Sequence, residues 1–195
     1  MYKEQLVDNM AHLTGLLYTL YGDRWDFYDI LGRLQKIMKD ASEQRSASYL
    51  KDDDEEALEC AKKNDRPWYL RQDSVGMMLY VDLFAGDLKG LVQKIPYLKD
   101  LGINYVHLMP LFDCPKKEND GGYAISSYRK VQDKLGSMED LKKLAGEFHK
   151  EGIHLVLDFV FNHTSSEHEW AKKALSGDGF YENFYYGYRD KKIVD

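Results

Sequence analysis

Apolar residues in the first third of the chain recur at helical spacing. Leu6, Met10, Leu13, Leu17 and Leu20 lie three or four apart, and Gly22 stands where such a helix would stop. Ile30, Leu34, Ile37 and Met38 form a second stripe. The acidic run Asp52–Glu56 opens a third expected helix that reaches Lys63. Such a run favours a helix N-terminus through the dipole and reads as a solvated face, not a ligand site. Residues 3–66 are therefore expected to be helical, with Pro67 marking the passage into another domain. No internal repeat or low-complexity linker interrupts the chain.

From residue 75 the pattern changes. Met77–Val81 is a short apolar run of strand type. Asp87 can cap a helix carrying Leu88, Leu91, Ile95 and Leu98, closed by Gly102, with a kink expected at Pro96. Ile103–Met109 is a second strand, ended by Pro110. Ser137-Met-Glu-Asp140 can cap the next helix, whose stripe is Leu141, Leu144 and Phe148. Gly152 ends it. The run Ile153, Leu155, Val156, Leu157 reads as a strand covered on both faces. Strand, helix, strand, loop, helix, strand argues for a parallel βα sheet. After the third strand comes a polar, aromatic tail without clear period. A (β/α)₈ barrel needs eight strands, and three would leave a long open edge, so the chain reads as the N-terminal piece of a longer protein or as an incomplete gene product.

Composition narrows the functional classes. The chain has 195 residues, 44% hydrophobic and 31% charged, an ordinary balance for a globular protein. A net charge of -6 argues against a nucleic-acid partner. No apolar run is long enough for a membrane span, and the N-terminus lacks the layout of a secretion signal, so a cytoplasmic location is expected. Cys60 and Cys114 give neither a disulfide framework nor metal-ligand spacing. Aromatics make up 13%, which suits a sugar-stacking cleft and an aromatic core alike.

Two clusters carry candidate chemistry. In Asn119-Asp120-Gly121-Gly122-Tyr123 the paired glycines permit a sharp turn that would project Asp120 and Tyr123. A tyrosine ring offers a flat apolar face to the C–H side of a sugar, and a carboxylate accepts from its hydroxyls. The same five residues also fit a plain turn with a surface Asp and a packed Tyr. The second cluster, Asp158, Asn162 and His163, closes the third strand. An imidazole can bind a sugar hydroxyl and steady charge, or merely satisfy neighbouring backbone. His154, His163 and His168 lie close in sequence, but no His-Glu-x-x-His helix is present, and no metal site is expected. Both clusters follow consecutive strands of one parallel sheet, so both should fall on its C-terminal face.

The Asp-x-x-x-Asn-His run formed by Asp158, Asn162 and His163 resembles the first signature motif of the α-amylase superfamily of glycoside hydrolases and transglucosylases. The Asp-Gly-Gly-Tyr loop is similar to that superfamily's Gly-Tyr element. Longer strings look like amylosucrase: Leu79-Tyr-Val-Asp-Leu-Phe-Ala-Gly-Asp-Leu88, His107-Leu-Met-Pro-Leu-Phe112, Asp120-Gly-Gly-Tyr-Ala-Ile-Ser-Ser-Tyr-Arg-Lys130 and Phe161-Asn-His-Thr-Ser-Ser-Glu-His-Glu-Trp170. Many amylases carry Asp-Tyr where this chain has Ser127-Tyr128, and the Ser form fits the amylosucrase branch.

This resemblance implies an α/β fold in three parts. Residues 1–70 would be a helical N-terminal domain, 71–164 the first three βα units of an incomplete TIM (β/α)₈ barrel, and 165–195 the start of an inserted loop domain. It implies a retaining glucosyltransferase of glycoside hydrolase family 13. Such an enzyme moves glucose from sucrose to an α-1,4-glucan through a covalent intermediate between two carboxyl groups, without a cofactor. A sucrose hydrolase or α-glucosidase would share the same residues, and a noncatalytic carbohydrate-binding or interaction module is the alternative outside enzymes. By carry-over His163 binds a hydroxyl of the glucosyl unit, Tyr123 stacks beneath it, and Asp120 helps close the pocket. Asp158 and Asn162 hold the loop. The nucleophile and acid/base match no residue of this chain; Asp178, Glu182 and Asp190 fit no catalytic motif. The chain alone is expected to be inactive.

Overall fold

The computed structural model describes residues 2–44 and 68–187. The expected third helix, with Cys60, lies outside the described residues. The chain divides into two compact units, Met1–Pro67 and Trp68–Asp195.

In the first unit α1 (Tyr2–Tyr21) and α2 (Phe27–Gln44) are joined by a short turn. The Gly22 N–H donates to the Tyr18 carbonyl at 2.8 Å and closes α1 where the sequence places the stop. The stripe on α2 differs from the expected one. Phe27 and Leu31 are buried and Leu34 half-buried, while Ile30, Ile37 and Met38 are exposed. Phe27 sits at an edge-on angle to both Tyr18 and Tyr28, with ring centroids 5.5 and 5.2 Å away. The i, i+4, i+7 face anchored on this largest apolar group wins over the aliphatic stripe beside it.

The second unit contains β1 (Gly76–Leu79), α3 (Val81–Ala85), α4 (Leu88–Gln93), α5 (Ile95–Asp100) and β2 (Tyr105–Leu108). These are followed by β3 (Phe112–Asp113), β4 (Ser127–Val131), α6 (Met138–Lys150), β5 (His154–Leu157), α7 (Glu169–Leu175) and α8 (Gly179–Glu182). Strands β1, β2 and β5 form a parallel sheet in that order. The register sets Met78 beside His107 and His107 beside Val156.

Strand alternation sorts the side chains. Met77, Leu79, Val106, Leu108, Leu155 and Leu157 join the core formed with Leu88, Leu91 and Leu98 of the crossover and Leu144 and Phe148 of α6. Gly76, Met78, Tyr105, His107, His154 and Val156 occupy the alternate positions and are not part of that core. The run ending in Leu157 thus enters the core through one face among the described residues, not two. At the N-terminal end of the second face Trp68 stacks on His154 at 4.2 Å and tilts over Tyr105 at 5.7 Å. Gly76 leaves room there for the Tyr105 ring, which a Cβ would approach to 1.9 Å and displace.

Local signals explain most of the boundaries. Asp87 Oδ1 accepts from Gly90 N at 2.6 Å, capping α4. Gly90 in turn packs against the Ala85 carbonyl, which a Cβ would approach to 2.1 Å. Ser137 and Asp140 form a reciprocal capping box on α6, at 3.1 and 3.0 Å. The helix expected through Pro96 is two helices instead. α4 ends at Gln93 and α5 restarts at Ile95, so that Pro96 falls in a first turn, where its missing N–H costs nothing.

Two features lack a sequence period. Strands β3 and β4 make an antiparallel pair with a shifted register. The tail expected to be aperiodic folds into the short helices α7 and α8, capped by His168 and Asp178.

His168 gives a pH prediction. It is buried, and its Nδ1 accepts from Trp170 N at 3.1 Å. Burial lowers its pKa below the ordinary 6.5, with Glu169 acting weakly the other way. The unfolded chain therefore takes up a proton that the folded chain resists, and stability falls as pH drops through 6.5 towards the folded value. His168→Asn retains a capping oxygen and does not titrate, so it should flatten that part of a urea-unfolding profile. An unchanged slope would refute the assignment.

Candidate functional site at the C-terminal face of the parallel sheet

The glycine cluster forms a tight helical turn, Asp120–Gly122, between β3 and β4. Asp120, Gly121 and Gly122 have φ of 50°, 66° and 99°. Gly122 is buried, and a Cβ on it would meet Pro110 Cβ at 3.1 Å and Pro110 O at 3.2 Å. Both the left-handed backbone and the close approach to Pro110 demand glycine there. Gly122 N and Ala124 N donate to the Asn119 carbonyl at 2.9 and 3.0 Å, and Asn119 Nδ2 donates to the Pro115 carbonyl at 3.0 Å. The turn thus delivers Tyr123 in a fixed direction.

Asp158 is the first residue beyond β5. Its Oδ2 accepts from the Tyr123 hydroxyl at 3.0 Å, and its Oδ1 lies 2.9 Å from His107 Nε2. Asp158 and His107 are about equally sheltered, with side chains 25% and 26% exposed. One carboxylate therefore joins the end of β2, the glycine turn and the end of β5. The hydrogen bond to Asp158 raises the Tyr123 phenol pKa above its ordinary value, and burial and neighbouring charges add to it.

Further contacts tie the loop after β5 to the β2–β4 segment. Tyr128 donates its hydroxyl to the Val160 carbonyl and stacks on Phe159 at 4.9 Å. Ser165 N donates to Ile125 O at 2.9 Å. On its other side the loop meets the tail beyond α8, where Thr164 Oγ1 lies 2.9 Å from the Tyr185 hydroxyl. Asn162 and His163 sit on this loop, both exposed, with Asn162 Nδ2 3.4 Å from His163 Nδ1.

Of the five residues singled out in the sequence, Tyr123 and Asp158 meet directly. Asp120 is exposed at the head of its turn, and Asn162 and His163 touch each other. His107 is the residue that sequence reasoning missed. Its signal was present: a polar side chain between Val106 and Leu108, at the C-terminal end of a buried strand. The three clustered histidines part company. His154 stacks on Trp68, His168 caps α7 and His163 faces solvent. Among the described residues no three His, Cys, Asp or Glu side chains are grouped to hold a metal, and no helix is long and apolar enough to cross a membrane.

Residues 47–194 match the family described as Alpha amylase, catalytic domain. An oligo-1,6-glucosidase from Bacillus sp. (strain F5) is 42% identical over 108 residues, covering 55% of this chain and 21% of that protein. The trehalose-6-phosphate hydrolase of Bacillus subtilis (strain 168) is 36% identical over 132 residues, covering 64% and 23%. Among solved structures, the trehalose-6-phosphate hydrolase of Bacillus licheniformis superposes with a TM-score of 0.55 at 36% identity, over 62% of this chain and 22% of that one. A mutant isomaltulose synthase from Erwinia rhapontici in complex with sucrose gives 0.55 at 33% identity, with the same coverage. The chain spans about a fifth of the length of the curated relatives it matches. With a family match over three quarters of its residues, this chain belongs to the alpha-amylase catalytic-domain family of glycoside hydrolases.

Proposed function

We propose that this chain supplies the sugar-binding side of a retaining α-glucoside-processing active site. Tyr123 stacks beneath the glucosyl ring, His163 binds one of its hydroxyls, and Asp120 closes the pocket, while Asp158 and Asn162 hold the loops. The observation that carries the reading is the Asp158 carboxylate, which links the glycine turn to the end of β5 on the face where barrel enzymes build their sites. In this reading residues 71–164 are the first three βα units of a barrel, preceded by a helical domain over residues 1–70 and followed from residue 165 by the start of an inserted domain. The nucleophile and acid/base, which a retaining mechanism requires about 5 Å apart, belong to strands beyond these three.

For the reaction, the names of the curated relatives favour hydrolysis of α-glucosides, since they include oligo-1,6-glucosidases and a trehalose-6-phosphate hydrolase. The second reading is glucosyl transfer from sucrose. It draws on the amylosucrase-like strings around Asp87, His107 and Ser127-Tyr128, and on the sucrose-bound synthase among the solved relatives.

The test has two arms. The purified 195-residue chain should release neither glucose nor fructose from sucrose, nor glucose from an α-1,6-glucoside; turnover of either would overturn the placement of the catalytic pair. The full-length protein assayed with sucrose should separate the readings, free glucose marking a hydrolase and α-glucan a transferase.

A further inference from the structure

His107 has no part in the roles above, yet it holds a distinctive place in the sheet. On the face away from the core, Tyr105 and His154 share the N-terminal row and pack with Trp68. His107 is the polar member of the next row, between Met78 and Val156, nearer the C-terminal end. Its Nε2 meets one oxygen of Asp158 at 2.9 Å, while Tyr123 donates to the other at 3.0 Å.

The terminal torsion of an aspartate is broad and roughly two-fold. A carboxylate engaged at one oxygen can still swing about that torsion and carry its partner with it. A carboxylate oxygen only accepts, so His107 meets Oδ1 as its Nε2–H tautomer; engaged at both oxygens by donors from two different elements, the carboxylate cannot swing. We infer that His107 is a positioning residue: by occupying Asp158 Oδ1 it fixes the carboxylate plane and so holds the Tyr123 ring in one orientation. The purpose, a rigid platform for an apolar sugar face, rests on the reading under Proposed function; the restraint itself does not.

Substitutions at 107 separate a donor from a space-filler. Glutamine places an amide N–H about where Nε2 sits, whereas phenylalanine and methionine fill the space without a donor. The readout is Tyr123 ring flipping by NMR in the 195-residue chain with ¹³C-labelled tyrosine. Tyr128, held by the Val160 carbonyl and Phe159, serves as the internal control. Expected are about tenfold faster flips of Tyr123 in H107F and H107M, the factor that about 1.4 kcal/mol of lost restraint gives. H107Q should stay near the parent rate, and Tyr128 should be unchanged throughout. Three results would overturn the inference: an unchanged Tyr123 in the donorless variants, equal loosening of Tyr123 and Tyr128, or H107Q behaving like H107F. If one donorless variant fails to fold, the other decides. No sugar enters this readout, so failure of the sugar reading leaves it standing, and its own failure leaves the sugar reading to be judged separately.

Discussion

Phe148→Ala is expected to destabilise the second unit by about 3–5 kcal/mol, the usual cost of emptying a large aromatic site in a core. Phe148 is the largest of the fully buried side chains among the described residues, at 0% exposure. It sits on the α6 face shared with Leu141 and Leu144, in the same core as Val106 and Leu108 of β2 and Leu88, Leu91 and Leu98 of the crossover. Its carbonyl also receives Ile153 N at 2.8 Å, at the approach to β5. The core it joins draws on several elements, so emptying the site loosens packing shared by the sheet, the crossover and α6. A typical domain is stable by about 5–15 kcal/mol, so this one change would remove a large share. Urea unfolding should show a lower midpoint with an unchanged slope. A loss below about 1 kcal/mol would mean that α6 does not carry the sheet as described.

Asp158→Leu should have the second largest effect, and of a different kind. The substitution leaves the Tyr123 hydroxyl and His107 Nε2 without their common acceptor. Hydrogen bonds to a charged group are worth about 1.5–3 kcal/mol each when buried. Since the Asp158 side chain is a quarter exposed, water compensates in part, and a total loss of about 2 kcal/mol is expected. The specific signature is electrostatic. With the carboxylate gone, the Tyr123 phenol should titrate nearer its ordinary value, because the hydrogen bond to Asp158 is the leading cause of its upward shift. Direct NMR titration of Tyr123 checks this. A phenol pKa left unmoved would show that Asp158 is not its partner in solution.

The sequence made the covalent order of the second unit legible because its local signals agree with its packing. Asp87, Ser137 with Asp140, and the turn glycines each do in the structure what their residue types favour. What was hidden has physical reasons. The β3–β4 pair is two residues against five, too short for alternation to register, and it is defined by pairing across an intervening loop. The helical stripe continues past Pro96 and so predicts a kink; only the backbone shows a fresh first turn at Ile95. On α2, spacing identified a helix but not which of two adjacent stripes faces inward, and Phe27 decided that.

The candidate site followed the same division. Motif spacing singled out Asp120, Tyr123, Asp158, Asn162 and His163, of which the structure joins Tyr123 to Asp158. His107 escaped because its partner stands 51 positions away, and only the parallel register of β2 with β5 brings the two together.

Under the proposed function Tyr123 and His163 face a bound sugar. Titrating sucrose or an α-1,6-glucoside into the chain with ¹³C-labelled tyrosine and histidine rings checks this. Saturable shifts are expected at Tyr123 and His163 that vanish in Tyr123→Ala, with His154 and His168 unmoved. Shifts confined to other rings, such as Tyr181 beside Trp170 and Phe184, with Tyr123 and His163 silent, would contradict it.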